Sequence, residues 1–251
     1  MNTFDPYFEQ IKGYESNLSD RGAIVRTWFA ELNRARPGGE RSSPLILKEN
    51  TAFELGGPLT ASSRFILRAA NASLVSHRKV TLIGPDLTEI RRGVLPFGQV
   101  IMVAGPFLDG QNRLKVERTL SVAEQIPGYM VRSIGGKIWS RVSFEAVDNG
   151  FSLQTLGSSI VAHLSAALSD VLTAAEVLFV TSSVADVYEL ERIGAQVRKL
   201  DHDLRRQRLI KTAESEYQCK SDISCEACPD NDVCNEIRRI YTIRKKGGRP
   251  S

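Results

Sequence analysis

The chain has 251 residues, of which 42% are hydrophobic and 25% are charged. These proportions exclude a chain that is disordered throughout and are typical of a globular protein with a sizeable core. The net charge of +4 is unevenly placed, because residues 235–251 carry +5 and all other residues together carry −1. A generally basic surface is therefore not evidence for a nucleic-acid partner of the rest of the chain. Because the sequence shows neither a membrane-spanning apolar run nor a secretory leader, we expect a cytoplasmic protein.

The predicted elements begin with an N-terminal helical segment over residues 1–40. Apolar residues recur there at helical spacing, which predicts two helices with a break between Gly13 and Asp20. The second helix is predicted over residues 24–32. A loop rich in Pro, Gly and Ser follows at residues 34–44.

Residues 45–183 predict an α/β domain. Short apolar runs bounded by Gly or Pro predict strands, and the runs are ILKENTAFELGGP, RFILRAA, KVTLIGPD, GQVIMVAGP, KIWSRVS and EVLFVTSS. Helices are predicted at residues 113–125 and 153–172. Gly135 and Gly136 predict a tight turn into the strand that carries Trp139. The fold class expected is α/β, a mixed sheet with flanking helices.

Residues 184–216 predict one long helix. Its apolar residues recur in steps of three and four, which gives a heptad-like seam, while charged residues fill the remaining positions. We expect this seam to pack on the sheet domain or on a partner helix.

Residues 217–251 predict a small four-cysteine module with a basic tail. Every cysteine of the chain lies in the run CKSDISCEACPDNDVC, as Cys219, Cys225, Cys228 and Cys234. Thiols clustered in a chain without a secretion signal indicate a metal or iron–sulfur site before they indicate disulfides. Because only one C-x-x-C pair is present and all four residues lie on one segment, the spacing favours a [4Fe–4S] cluster over Zn²⁺. Zinc and free thiols remain the alternatives.

Three segments of the middle region occur in a characteristic order between about Gly56 and Ile160. They are LIGPDLTEIRRGVLPFGQVIMVAGP, KVERTLSVAEQIPGYM and KIWSRVSFEAVDNGFSLQTLGSSI. In this order they resemble the middle domain of the beta subunit of the carbon monoxide dehydrogenase/acetyl-CoA synthase complex. The resemblance implies an α/β domain that is associated with coenzyme A and with docking to partner subunits.

The resemblance also implies candidate coenzyme A residues. Trp139 and Arg141 fall on the W-x-R-x-S piece of the family, and Arg118 falls on its E-R pair with Glu117. An arginine fork suits phosphate groups, and a tryptophan ring can stack on adenine. The alternative interpretation makes Trp139 a core residue and Glu117 and Arg118 a surface pair.

The chain departs from the family in its C-terminal part, because it has no C-G-C element of the kind that holds nickel there. The expectation is therefore an iron–sulfur protein, an auxiliary electron-transfer or acyl-handling component of a larger redox complex with a partner protein. It would be enzymatic only as part of that complex. The alternatives are a zinc-binding regulatory protein whose basic tail contacts nucleic acid, and a scaffold whose metal only stabilises the C-terminus.

Overall fold

The computed structural model describes residues 3–31, 51–90, 93–106, 108, 110–214, 231–232 and 234–236. The chain divides into two compact units, Met1–Val197 and Arg198–Ser251. The first unit contains both sheets and the hydrophobic core described below. No helix among the described residues is both long enough and apolar enough to cross a bilayer.

A five-stranded sheet forms the centre of the first unit. Its strands are β1 (Val25–Phe29), β3 (Ser62–Ala69), β4 (Lys79–Ile83), β6 (Phe97–Ala104) and β9 (Ala174–Val180), in the order β1-β4-β9-β6-β3. The pairs β4/β9 and β3/β6 are parallel, whereas β1/β4 and β6/β9 are antiparallel. The predicted mixed α/β sheet is therefore confirmed. The central strands β6 and β9 are buried at every position, as expected for apolar runs covered on both faces.

A second, smaller sheet packs against the same core. Its strands are β2 (Ala52–Gly56), β5 (Val94–Leu95), β7 (Tyr129–Ile134) and β8 (Lys137–Ser143), in the order β5-β2-β8-β7. The hairpin β7–β8 turns at Gly135 and Gly136, which both have positive φ. This geometry suits a two-residue turn that glycine adopts without strain, so the predicted tight turn is confirmed.

Helices lie on both faces of the five-stranded sheet, while the short helix α3 packs against strand β8 of the second sheet. The helices of the described residues are α1 (Asp5–Asp20), α2 (Gly110–Ala123), α3 (Phe144–Asp148), α4 (Leu153–Ala167) and α5 (Val184–Glu214). Gly157 of α4 lies against Phe179, and Leu190 of α5 lies against Val180 and Gly98. Because adjacent strand residues point to opposite faces, α4 and the first turns of α5 lie on opposite sides of the sheet. Helix α1 joins the α5 side, where the Tyr14 hydroxyl donates to the Asp186 carbonyl at 2.8 Å.

The N-terminal prediction is half right. Residues 5–20 form one helix that continues through Gly13 without a break, and the second predicted helix is instead strand β1. Its residues Val25–Phe29 pair antiparallel with Lys79–Ile83. The sequence VRTWF consists largely of β-branched and aromatic residues, so backbone pairing with β4 overrides the apolar spacing that suggests a helix.

The long helix predicted at residues 184–216 is confirmed as α5. Its seam residues Val187, Leu190 and Val197 are buried. The predictions for the cysteine module and the basic tail fall outside the described residues, with the exception of Cys234 and its immediate neighbours.

Candidate functional site

Strand β8 presents Trp139 and Arg141 on one face of the second sheet. Successive strand residues alternate between faces, and the intervening residues Ile138, Ser140 and Val142 are buried in the core. The cross-strand register places Glu54 and Met130 beside Arg141, and Gly56 and Arg132 beside Trp139. We call the side of the sheet that carries Glu54, Met130, Arg132, Trp139 and Arg141 the outer face.

The indole of Trp139 lies between a glycine backbone and an arginine. A Cβ atom placed on Gly57 would come within 2.7 Å of the Cδ1 atom of Trp139, so only glycine allows this close approach. The Arg132 guanidinium lies 5.9 Å from the centre of the ring, within cation–π range. The indole nitrogen is buried, and it has no hydrogen-bond partner among the described residues.

Arg141 is 8% exposed. Its Nε atom lies 3.4 Å from the Glu54 carboxylate, which is an ion-pair distance. This contact does not satisfy the donor, because Arg141 Nε has no hydrogen bond within the described part of the chain. Trp139 and Arg141 therefore place two buried, unsatisfied N–H donors on the same face of one strand, and such groups are costly unless a ligand or another group accepts from them.

Arg118 lies apart from this pair, on the exposed side of helix α2. Its neighbour Glu117 forms an ion pair with Arg113, at 3.7 Å between Oε1 and Nε, rather than with Arg118 itself. The structure thus brings two of the three candidate coenzyme A residues together and places the third on a separate element.

The predicted cysteine site has only one described member. Cys234 is half-buried, and the other three thiols lie outside the described residues. No three His, Cys, Asp or Glu side chains of the described part are grouped as a metal site. Four cysteine thiolates within a 16-residue segment remain a donor set that suits a cubane cluster, so the cluster stays a prediction.

The I-G-P-D segment at residues 83–86 joins three elements of the fold through its own contacts. The Asp86 carboxylate is buried and accepts from the Leu87 amide at 2.7 Å and from the Leu153 amide at 2.9 Å. It therefore caps both a short 3₁₀ turn and the start of α4. Gly84 has φ +110°, and a Cβ there would come 2.4 Å from the Ser182 amide nitrogen. The motif thus holds the ends of β4 and β9 together.

A buried polar network, which sequence analysis did not predict, links α2 to the five-stranded sheet. Arg64 Nη2 donates to both carboxylate oxygens of Glu124, at 2.9 and 2.8 Å, and Gln99 donates to the same carboxylate at 3.1 Å. Burial, with a smaller contribution from the Glu124 charge, raises the pKa of the nearby Tyr129 phenol, which therefore stays neutral. The only sequence signal for this network is a pair of polar residues at inward positions of apolar strands.

The fold and the outer face together define a two-sheet α/β protein with an aromatic and cationic surface. The family described as CO dehydrogenase/acetyl-CoA synthase complex beta subunit matches residues 39–185, which is more than half of the chain. The chain belongs to this family. The resemblance predicted from its middle segments is therefore confirmed.

Individual relatives agree with this assignment. The acetyl-CoA decarbonylase/synthase complex subunit beta of Methanothermobacter thermautotrophicus is 33% identical over 49% of this chain and 25% of its own length. The carbon monoxide dehydrogenase/acetyl-CoA synthase subunit alpha of Moorella thermoacetica is 25% identical over 75% of this chain and 26% of its own length. A beta subunit from Methanopyrus kandleri is 26% identical over 79% of this chain and 41% of its own length. The matched part of the chain thus spans less than half of each of these relatives.

Proposed function

We propose that this chain is a coenzyme A-binding and cluster-bearing component of a larger redox complex related to the CO dehydrogenase/acetyl-CoA synthase complex. Its relatives are named as subunits of such complexes, which supports a protein partner for this chain. The proposed ligand site is the outer face of the second sheet, and the proposed cluster site is the set of four cysteines.

The observation that carries the ligand proposal is the pair of unsatisfied donors on β8. Trp139 offers a half-buried ring with a free N–H, and two positions away Arg141 offers a desolvated guanidinium. Arg132 adds a second, exposed cation over the same ring. Coenzyme A combines an adenine ring with several phosphate groups, so an aromatic surface flanked by arginines matches both parts of the molecule.

For the cluster, Cys219, Cys225, Cys228 and Cys234 would act as the four ligands. A [4Fe–4S] cluster supplies one-electron transfer when it is bound, and the nearby positive charges of residues 235–251 would favour its reduced form. Zn²⁺ on the same thiolates is the competing occupant.

The coenzyme A proposal is tested by fluorescence, since the chain has only two tryptophans, Trp28 and Trp139. In a Trp28→Phe variant, Trp139 is the sole indole, and we expect added coenzyme A to quench its emission in a saturable way. Arg141→Ala in this background should weaken binding at least about tenfold, because a charge-assisted contact to phosphate is lost. The matched Trp139→Phe variant retains only Trp28 and should show no quenching. Absence of any response in the Trp28→Phe protein would refute the ligand proposal.

The cluster proposal is tested by composition. Protein purified without air should contain about four iron and four sulfide per chain and give an EPR signal after reduction. Replacement of Cys225 and Cys228 by Ser should abolish both. About one zinc per chain without sulfide would instead establish the zinc alternative.

A further inference from the structure

Strand β1 forms one edge of the five-stranded sheet, and its outer side has no strand partner among the described residues. On its inner side, the Gly84 amide donates to Ile24 O and the Ala30 amide donates to Arg78 O, both at 2.9 Å. Backbone groups of successive strand residues point in alternate directions. The even-numbered residues of β1 therefore bond to β4, and the N–H and C=O groups of Val25, Thr27 and Phe29 point outward.

The side chains of the same three residues are exposed. Phe29 is 69% exposed and Val25 is 38% exposed, and Thr27 between them is also open to solvent. Edge strands are ordinarily protected by Pro, by Lys or by a bulge, and β1 has none of these. Its one charged residue, Arg26, is engaged with Glu89 at 2.7 Å.

The opposite edge of the sheet is arranged differently. Strand β3 carries two arginines, and the backbone amide of Arg64 donates to the Gly136 carbonyl of the β7–β8 hairpin. The covering hairpin thus protects β3 in the way that natural edge strands require. Of the two edges of this sheet, β1 is thus the one that no described residue covers.

The sequence of β1 is complementary to itself when it runs antiparallel about Thr27. In this register Val25 lies opposite Phe29 of the second copy, and Thr27 lies opposite Thr27, so all three outward-pointing residues form hydrogen-bonded pairs. Arg26 lies opposite Trp28 of the second copy, a pairing of a cation with an aromatic ring, and no like charges oppose one another. A strand of a different sequence could pair with β1 without this match of apolar, polar and cation–aromatic residues, so the self-matching register favours a second copy of the chain as the partner.

We propose that β1 is an interaction surface for a second copy of this chain, and that the two copies join their five-stranded sheets edge to edge across a two-fold axis at Thr27. A single short strand pair lies at the small end of the range of interface sizes, so the dimer is concentration-dependent. The inference is independent of the coenzyme A and cluster proposals, since it uses neither site.

The test uses charge at the symmetry axis. Thr27→Lys and Thr27→Glu each place like charges opposite one another across the two-fold axis. Analytical ultracentrifugation of either full-length variant should show a dimer dissociation constant that is raised at least about tenfold. An equimolar mixture of the two should restore dimers, because each lysine then faces a glutamate. Thr27→Val keeps a β-branched side chain and should dimerise like the unmodified chain. Circular dichroism should show the same fold in every variant, because Thr27 is exposed.

Hydrogen exchange adds a readout that is specific to the register. At dimerising concentrations the amides of Val25, Thr27 and Phe29 should gain protection, while those of Arg26 and Trp28 are protected at every concentration. The proposal is wrong if the unmodified chain is monomeric at all concentrations, as it would be if another segment of the chain covers this edge. It is equally wrong if Thr27→Lys leaves a dimer intact or if the mixture stays monomeric.

Discussion

Glu176 is a carboxylate held inside the five-stranded sheet, where it is 6% exposed. Burial raises its pKa above the ordinary value, and the Glu15 carboxylate raises it further, while Lys79 and the Ser76 hydrogen bonds act in the opposite direction. Its Oε2 atom has no hydrogen-bond partner in the described part of the chain. The Lys79 ammonium thus interacts with both carboxylates, and Glu176 is the less exposed of the two.

This arrangement predicts that Glu176→Gln stabilises the protein at neutral pH. Because the folded-state pKa is raised, the folded protein binds the proton more tightly than the unfolded chain, and stability falls as pH rises from the ordinary pKa through the folded one. The neutral glutamine side chain removes this pH-dependent loss of stability, and its carbonyl oxygen still accepts a hydrogen bond from Ser76. We expect a gain of about 1 kcal/mol in the free energy of unfolding at pH 7, measured by urea denaturation.

The gain should vanish at low pH, where the native carboxyl is protonated as well. The exposed residue Glu9 on α1 provides the control, since Glu9→Gln should change stability little at either pH. A Glu176→Gln protein that is equally destabilised at both pH values would show that specific hydrogen bonds, and not the buried charge, dominate at this position.

The candidate ligand residues show what the sequence can predict at the residue scale. The W-x-R-x-S pattern alone places Trp139 and Arg141 on one face of a strand, because side chains alternate along it. Their neighbours Glu54 and Arg132 come from strands distant in sequence or across a hairpin, and only the register between strands brings them beside this pair. Arg118 has no such constraint, and a short E-R pair carries too little information to place it.

At the scale of elements, Asp86 connects two parts of the fold through one carboxylate. We expect Asp86→Ala to lower the free energy of unfolding by about 2 kcal/mol, because two buried amides lose their acceptor. Asp86→Asn keeps the acceptor oxygen and should cost about half as much, since it loses only the favourable charge at the N-terminus of α4. Urea denaturation of both variants measures this difference, and an equal cost for the two would indicate that the charge, not the capping bonds, matters.

Helix α4 approaches the sheet at a glycine. A Cβ on Gly157 would lie 2.5 Å from Val80 Cγ1 and 2.9 Å from Phe179 Cε2. Gly157→Ala should therefore destabilise the protein by about 1–2 kcal/mol, because forced repacking of a dense core exceeds the gain in helix propensity.

Gly13 of α1 is the matched control for this substitution. It is exposed in the middle of a helix, and an added Cβ meets nothing within 4 Å. Gly13→Ala should stabilise the protein by up to about 1 kcal/mol, the usual helix-propensity gain. Thermal denaturation should thus give changes of opposite sign for the same chemical substitution. A gain at both positions would mean that α4 moves away from the sheet at little cost.

The two N-terminal elements show why element type is only partly readable from sequence. Apolar residues at helical spacing correctly predict α1, but Gly13 is misleading as a helix breaker, because packing of Ile11, Tyr14 and Leu18 supplies more stability than one glycine removes. In β1 the residues Val25 and Phe29 fit a helical stripe equally well. Pairing with β4, whose residues lie 50 to 58 positions further along the chain, decides the outcome, and local spacing carries no information about it.

At the scale of the whole molecule, the sequence predicts the α/β class and most of the strands but not their division into two sheets. Strand β7 is not predicted from the sequence, because its second half, Arg132–Ile134, is exposed and forms no apolar run. Its strand conformation follows from pairing with β8. The order of strands depends on contacts between segments that are far apart in sequence.

The division of the chain into two compact units leads to a prediction about the metal. The buried hydrophobic residues of the first unit extend from Phe4 to Val197, and all four cysteines belong to the second unit. Replacing all four cysteines by Ser should therefore abolish metal or cluster binding while it leaves the opening free energy of β6 and β9 within about 0.5 kcal/mol of the native value. Native-state hydrogen exchange of these two buried strands makes the measurement, and exchange of the untouched chain after chelation is the control. If β6 and β9 lost protection together with the metal, the metal would instead stabilise the first unit of the chain. That result would favour a structural role of the cysteine module over a role in electron transfer.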